Sequence, residues 1–281
     1  MTVVTQAGEL RAVVAGGGQP RVLVPTMGAL HEGHLALVRR ARELAGPAGT
    51  VVVSIFVNPI QFERAADLAA YPRPLEADLT SCRAAGVDVV FAPVAEAMYC
   101  ADHSVTVTES WLSRGMCGAA RPGHFDGVCT VVLKLFLLSG CELAVFGDKD
   151  FQQLAVIRRM VRDLNVPVAI VDHPTVRETD GLALSSRNVR LSAAQRADAP
   201  RLWQALLAAQ AAFTAGTRAP AELLKFARYG IRASALARID YVSLVDAETL
   251  QAVERIERPA ILATAVFYGE VRLIDHIRLE P

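Results

Sequence analysis

Two histidines three residues apart, His31 and His34, sit in the segment Pro25-Thr26-Met27-Gly28-Ala29-Leu30-His31-Glu32-Gly33-His34. An apolar run precedes the segment and apolar residues at helical spacing follow it, so it reads as a strand-to-helix turn. A helix start offers free backbone N–H groups and a partial positive charge to an anion. Residues three apart project from nearly one face of the first turn. Two imidazoles there donate to phosphate oxygens and follow charge as it develops on a leaving group. Gly28 and Gly33 let the backbone approach a ligand closely. An HxGH sequence alone reads equally as two surface histidines at a cap. The strand, the helix and the two glycines favour nucleotide phosphates.

A second segment, Gly147-Asp148-Lys149-Asp150-Phe151-Gln152-Gln153, lies between another apolar run and an amphipathic stretch. Open parallel sheets bind ligands at the carboxyl ends of their strands, so this loop and the HxGH turn can serve one cleft. Only Lys134, Lys149 and Lys225 are lysines among 29 basic residues, which makes a lysine at such a turn informative. Lys149 is a candidate clamp on phosphate charge. Gln153 offers a donor and an acceptor to a small polar substrate. A solvated charged loop is the plain alternative. In Leu184-Ser185-Ser186-Arg187-Asn188, two hydroxyls and a guanidinium share one loop, a weak sign of phosphate binding by itself. An early HxGH element with a late basic, serine-rich loop is the bipartite pattern of adenylate-forming nucleotidyltransferases. Asn58 and Gln61 end an otherwise apolar stretch. Buried amides need partners, and here these are either backbone groups or a small substrate. Arg121-Pro122-Gly123-His124 leads into a helix. Arg121 is a candidate guard of the cleft, His124 reads equally as a structural loop residue, and Lys134 in that apolar helix can snorkel.

The elements around these segments must position them. Strand signals at 21–25, 50–57, 88–92, 143–146 and 167–171 alternate with helical patterns at 31–44, 75–85, 125–138 and 150–164. The alternation predicts an α/β fold, a Rossmann-like doubly wound parallel sheet, over residues 1–175. Beyond that point Ser192 predicts the N-cap of a single helix running through Phe213. A second helix follows over 220–234, then strands at 239–245, 260–268 and 271–277, the last two joined at Gly269-Glu270 as an antiparallel hairpin. Residues 176–281 are therefore expected to form a smaller α+β domain that carries the Ser-Ser-Arg loop and closes over the site. The Gly16-Gly17-Gly18 run reads as a loop.

A chain of 281 residues can bury a sizeable core in one large or two smaller domains. Its net formal charge is zero and it has no basic stripe, which argues against nucleic acid or an anionic membrane as partner. No apolar stretch approaches the roughly 18 residues of a membrane span. The first twenty residues lack the charged start and apolar run of a secretory signal. Cys82, Cys100, Cys117, Cys129 and Cys141 are odd in number and show no CxxC spacing, which predicts reduced thiols in a cytoplasm. Asp78 and the Asp172-His173 pair remain as metal candidates without a zinc-type spacing.

From Pro25 to about Leu191, these segments recur in an order and spacing that closely resemble the pantothenate synthetases, the pantoate–β-alanine ligases of the HxGH nucleotidyltransferase superfamily. Tyr71-Pro72-Arg73 and Pro174-Thr175-Val176-Arg177-Glu178 extend the likeness. It implies an ATP-dependent condensation of (R)-pantoate with β-alanine through a pantoyl adenylate, releasing pyrophosphate and AMP. It also implies a homodimer and ATP bound with Mg2+, with Asp78 a candidate magnesium ligand. By position, Pro25, Thr26, Met27, Gly28, Ala29, Leu30, His31, Glu32, Gly33 and His34 line the ATP site, with His34 in the family's proton-donor position. Gly147, Asp148, Lys149, Asp150, Val176, Leu184, Ser185, Ser186 and Arg187 hold the nucleotide. Gln61 and Gln153 bind pantoate, Gln61 also touches β-alanine, and Asn58 and Arg121 join the substrate set. His31, His34, Lys149 and Arg187 supply the positive charge for the departing pyrophosphate.

There are departures from the family pattern. Leu184 stands where Met is usual, Ala36 where Ser is common, and Thr179 in a usually acidic place. Met116-Cys117-Gly118 replaces Leu-Glu-Gly, and Ser139-Gly140-Cys141 interrupts a stretch that commonly carries Asn and Pro. None removes a residue given a catalytic role. The competing classes are a nucleotidylyltransferase that keeps the nucleotide in its product, and a non-enzymatic nucleotide- or RNA-binding module.

Overall fold

A run such as Thr50-Val51-Val52-Val53-Ser54 is β-branched and lacks alternation, which suits a strand covered on both faces. The computed structural model, which describes residues 1–63 and 65–281, places it so. The strands in chain order are β1 (Thr2–Val4), β2 (Arg21–Thr26), β3 (Thr50–Ile55), β4 (Val89–Phe91), β5 (Leu143–Gly147), β6 (Ala169–His173), β7 (Ala237–Asp246), β8 (Ala260–Tyr268) and β9 (Val271–Leu279). The helices are α1 (Ala7–Ala15), α2 (Glu32–Ala45), α3 (Ala65–Ala69), α4 (Leu75–Ala84), α5 (Ala95–Met98), α6 (Met116–Ala120), α7 (His124–Ser139), α8 (Phe151–Asp163), α9 (Ala193–Asp198), α10 (Arg201–Thr214) and α11 (Pro220–Arg232).

The chain divides into two compact units. Unit 1 comprises Met1–Arg114, Gly118–Asp148 and Gln153–Pro174; unit 2 comprises Gly115–Cys117, Lys149–Gln152 and Thr175–Pro281. Unit 1 is built on a six-stranded sheet in the order β1-β4-β3-β2-β5-β6, all pairs parallel. Val22, Val24, Val51, Val53, Val90 and Val145 meet α2 and α4 in one apolar cluster. Leu23 and Val52 alternate with them along the strands, and α1 and α7 pack against β4 and β2. Each fully buried valine contributes about 1.5–3 kcal/mol, so this sheet tolerates polar residues only at its ends.

Strand order fixes where a ligand can sit. From β2 the chain winds outward to β3 and β4, then returns to the other side of β2 for β5 and β6. The order reverses between β2 and β5, and such switch points open a crevice at the strands' carboxyl ends. The HxGH turn leaves the carboxyl end of β2, and Gly147-Asp148 that of β5.

Unit 2 carries the antiparallel sheet β7-β8-β9. Leu202, Leu206, Leu223 and Ile231 of α10 and α11 share one core with Leu262, Val266 and Tyr268 of β8. The hairpin turns at Gly269, whose φ of 58° is left-handed. Ser192 caps as expected, its hydroxyl accepting from the Gln195 amide. The single helix expected from Ser192 to Phe213 is instead two, α9 and α10, parted at Ala199-Pro200. Pro200 has no N–H to continue the ladder, so it ends one helix and starts the next. β1 and α1 were not expected from the sequence. A three-residue edge strand and a helix burying only Leu10 and Val14 leave little periodicity to read.

Candidate active site

The HxGH turn is held from several directions within unit 1. Thr26, at the end of β2, donates its hydroxyl to the Ser54 carbonyl (2.7 Å) and accepts from the Gly28 amide (3.2 Å). Gly28 and Ala29 follow with φ of 79° and 50°, both left-handed. At Gly28 a Cβ would come 2.9 Å from the Asp78 carboxylate and 3.0 Å from Ile55, so glycine is required by packing as well as by φ. Ala29 has a Cβ in a conformation that costs about 1 kcal/mol, and something must hold it there. Asp78, on α4 and 2% exposed, accepts from the Ala29 amide (2.8 Å) and the Leu30 amide (2.7 Å), one with each oxygen.

His31 caps α2: its Nδ1 accepts from the Gly33 amide (3.2 Å), and the Nδ1 of His34 accepts from the His31 amide (3.3 Å). The rings lie 4.0 Å apart between centroids. The amides of Gly28, Ala29, Leu30, His31 and Gly33 therefore have intramolecular acceptors. This corrects the expectation of a helix start offering free amides to an anion: the loop's own side chains reached those amides first. Glu32 is exposed and ion-pairs with Arg39.

A second network fixes Gln61, 7% exposed, at the end of the segment after β3. Asn58 donates to Gln61 Oε1 (3.0 Å) and to the Gly127 carbonyl (3.0 Å), and accepts from the Tyr99 hydroxyl (2.8 Å). Burial pushes the Tyr99 hydroxyl's pKa well up, so it stays a donor. With both ends of its amide engaged, Asn58 positions Gln61 and does not itself present an amide to substrate as expected. The Gln61 carbonyl accepts from His124 Nδ1 (2.9 Å) and from Arg121 (3.3 Å), whose other nitrogen lies 3.1 Å from His124 Nε2. His124 is thus the structural residue of its two readings, and Arg121 braces the same turn. A Cβ at Gly127 would stand 2.6 Å from the Ile60 carbonyl oxygen, so glycine lets α7 approach. Among the described residues Gln61 Nε2 meets the thioether of Met27 (3.0 Å), a weak acceptor.

Unit 2 carries Lys149, Asp150, Val176 and residues 184–187 of those expected. Lys149 is half-buried, its ammonium 3.4 Å from the Asp150 carboxylate. Gln152, 2% exposed, is engaged by the Cys117 amide (3.0 Å) and the Gly115 carbonyl (2.9 Å). Its neighbour Gln153, in unit 1, is half-buried, and its side-chain amide has no hydrogen-bond partner among the described residues. Val176 and Leu184 are tied by the Leu184 amide on the Val176 carbonyl (3.0 Å). Arg177 anchors that turn: it chelates Asp275 at 2.6 and 2.9 Å, donates to the Gly181 carbonyl and stacks on Trp203 at 3.5 Å. The Ser185 hydroxyl accepts from the Arg187 amide (3.3 Å), and Asn188 donates to the Ala183 carbonyl (3.0 Å). The Arg187 guanidinium meets no carboxylate among the described residues.

A family profile described as pantoate–β-alanine ligase matches residues 2–278. The chain belongs to the pantoate–β-alanine ligase family. It is a ligase whose family joins pantoate with β-alanine. A pantothenate synthetase of Akkermansia muciniphila is 54% identical over 258 residues, covering 92% of each chain. One of a Chelativorans species is 51% identical over 272 residues, covering 96% of this ligase and 94% of that protein. A pantothenate synthetase crystal structure from Thermus thermophilus superposes with a TM-score of 0.94 at 47% identity over all of both chains. A pantoate–β-alanine ligase of Francisella tularensis, described as complexed with "Beta-gamma ATP and Beta-alanine", gives 0.79 at 28% identity over 99% of this ligase and 97% of that chain.

Sequence reasoning missed the supports of this ligase's candidate site. Asp78, expected at a metal, braces the turn after β2. Tyr99, Gly127 and the Arg177–Asp275 pair carried no local signal, because each acts on a residue 41 or more positions away. Burial lifts the thiols of Cys82 and Cys141 to about 11 and of Cys129 to about 12, so they are packing groups and not nucleophiles. Among the described residues no helix is long and apolar enough to cross a membrane.

Proposed function

We propose that the ligase activates (R)-pantoate with ATP. The pantoate carboxylate attacks the α-phosphorus, pyrophosphate leaves, and the β-alanine amine, as the free base, displaces AMP from the acyl adenylate to give pantothenate. The observation that carries this reading is the HxGH turn at the carboxyl end of β2, beside β5 at the switch point of the sheet. The Francisella relative's complex with an ATP compound and β-alanine supports it. Residues 25–34, Gly147–Asp150, Val176 and Leu184–Arg187 hold the nucleotide. Gln61 and Gln153 hold pantoate, and Gln61 then touches β-alanine; Asn58 and Arg121 serve by fixing Gln61. His31, His34, Lys149 and Arg187 donate to phosphate oxygens as charge moves onto pyrophosphate.

The residues do not make a protein cage for magnesium. Asp78 is buried with both oxygens on amides, and among the described residues no cluster of three or more His, Cys, Asp or Glu side chains could hold a metal. Magnesium enters as the salt of ATP, keeping several waters, and no step here runs through a protein-bound ion. We also propose a cytoplasmic homodimer, in keeping with free cysteines that are mostly buried.

Isotope exchange between pyrophosphate and ATP tests the stepwise scheme. Exchange should require pantoate and proceed without β-alanine, and AMP should appear only when β-alanine is added. Exchange in the absence of pantoate, or none in its presence, would reject the adenylate.

A further inference from the structure

β9 is an edge strand of the antiparallel sheet and pairs regularly with β8 along its whole length. Successive side chains of a strand point to opposite faces. Val271, Leu273 and Ile277 enter the apolar core shared with α10 and α11, so Asp275 faces that side and His276 the other. Both are buried, 4% and 5% exposed. Asp275 Oδ1 and Oδ2 accept from Arg177 at 2.9 and 2.6 Å, and Oδ1 also accepts from the His276 amide (2.8 Å). Arg177 lies in the turn that bonds Leu184 to Val176. That turn is pressed on α10 as well: Arg177 stacks on Trp203, and a Cβ at Gly181 would stand 2.4 Å from the same ring. On the opposite face of β9 the His276 ring lies 4.9 Å from the ring of Phe151, which follows the Lys149-Asp150 pair. Arg272 shares that face. It donates to Cys117 Sγ (3.5 Å), and the Cys117 amide donates to Gln152 Oε1 (3.0 Å). One strand therefore touches both of the unit 2 segments that are proposed to hold the nucleotide.

We propose that Asp275 and His276 are positioning residues for nucleotide binding, and that β9 sets the spacing of the Val176–Leu184 turn and the Lys149 turn by seating one on each of its faces. Neither side chain needs to touch the nucleotide. The two turns are far apart in sequence, so no local bond fixes their spacing. Adjacent residues of a paired strand have a fixed offset of about 3.4 Å along it, and that offset is passed to the turns. The bidentate Arg177–Asp275 pair fixes direction as well as distance. The His276 amide on Asp275 Oδ1 ties both seats to one carboxylate. Such a support matters because a misplacement of about 1 Å at a binding group can cost about 100-fold in rate. The ligand rests on the ATP reading; the seating of the two turns does not.

Hydrogen exchange in the ligand-free ligase reads the seating directly. Asp275→Asn keeps the side chain's shape and removes its charge. It should speed exchange at the Glu178, Gly181 and Leu184 amides, which are bonded within that turn. His276→Ala should speed exchange over residues 149–152 and at Cys117. The amides of β2 and β3 should exchange as in wild type in both variants. Steady-state kinetics reads the consequence: each variant should raise the KM for ATP about 10-fold and leave the KM for β-alanine within about 2-fold. His276→Phe, which keeps a ring against Phe151, should lose less than His276→Ala. A buried Arg177 without its partner can prevent folding; Arg177→Gln together with Asp275→Asn buries no charge and carries the same expectations. Faster exchange spread evenly over both units overturns the proposal. So does a fall in kcat with the KM for ATP unchanged, or an equal loss in His276→Phe and His276→Ala. The expected exchange pattern, in a ligase whose wild type shows no pantoate-dependent pyrophosphate exchange, would uphold the seating and remove the ATP reading.

Discussion

In the turn after β2, five successive or near-successive amides are engaged by Thr26, Asp78, His31 and His34. In the Ser-Ser-Arg segment, Ser185 accepts from the Arg187 and Asn188 amides, and the Asn188 side chain donates to the Ala183 carbonyl. Both segments are proposed grips on phosphate, yet one is braced by a buried carboxylate 49 residues away, while in the other the bonds of Ser185, Arg187 and Asn188 stay within five residues. The difference follows from backbone strain. Left-handed Ala29 persists only where the surroundings over-determine it, whereas segment 185–188 has no positive φ and needs no such brace. Variants of the first region should lose stability and activity together, and variants of the second should lose activity alone.

The largest effect is expected at Asp78. Asp78→Ala leaves two half-buried amides without their acceptors, each worth about 1–3 kcal/mol, and releases Ala29. Urea unfolding should show a loss of several kcal/mol, and pyrophosphate exchange should fall more than about 100-fold. An Asp78→Ala ligase with wild-type stability would dissolve the contrast between the regions. His34→Ala comes next: single-turnover adenylation should slow by about 100-fold, with a stability loss of about 1 kcal/mol from the cap.

Arg187→Ala tests the second segment. Its guanidinium supports no carboxylate among the described residues, so the unfolding midpoint should stay within about 0.5 kcal/mol of wild type. The KM for ATP should rise about 10- to 100-fold, the scale of one hydrogen bond to a charged group. A destabilised Arg187→Ala would show that this segment is braced like the first. Tyr99→Phe should cost about 1 kcal/mol and raise the KM for pantoate a few-fold through Asn58 and Gln61, leaving the KM for ATP unchanged.

The smallest effect concerns Asp180, in the turn ahead of Ser185. The hydrogen bond from Arg196, chiefly, holds its pKa below the usual carboxylate range against the opposing effect of burial, with the Leu182 amide assisting. A folded-state value below the unfolded one means the stabilisation is present above about pH 4 and drains as pH falls below it. Asp180→Asn should therefore lower the thermal midpoint at pH 7 by no more than about 3 °C. The gap to wild type should close toward about pH 3.

By itself the sequence determined most elements and named the candidates for the site. Periodicity placed β2, β3, β5, α2, α7 and α8 to within about two residues, and the Gly269-Glu270 hairpin was legible from its turn chemistry. These signals are local: burial on both faces, capping and turn residues leave their mark within a few positions. The HxGH histidines, Lys149, Gln153 and the Ser-Ser-Arg loop could be named as candidates because motif residues lie close in sequence. The roles of Asn58 and Asp78 were not. Both are polar residues at element ends, and the sequence does not show whether their partners are amides of the same protein or a ligand. Strand order decided that. Pairing β2 with β5 as well as β3 created the switch point, and packing α4 and α7 against it brought Asp78 to the turn and Gly127 to Asn58. Those contacts join residues 48 to 69 positions apart, a separation over which no pattern in the chain records a partner.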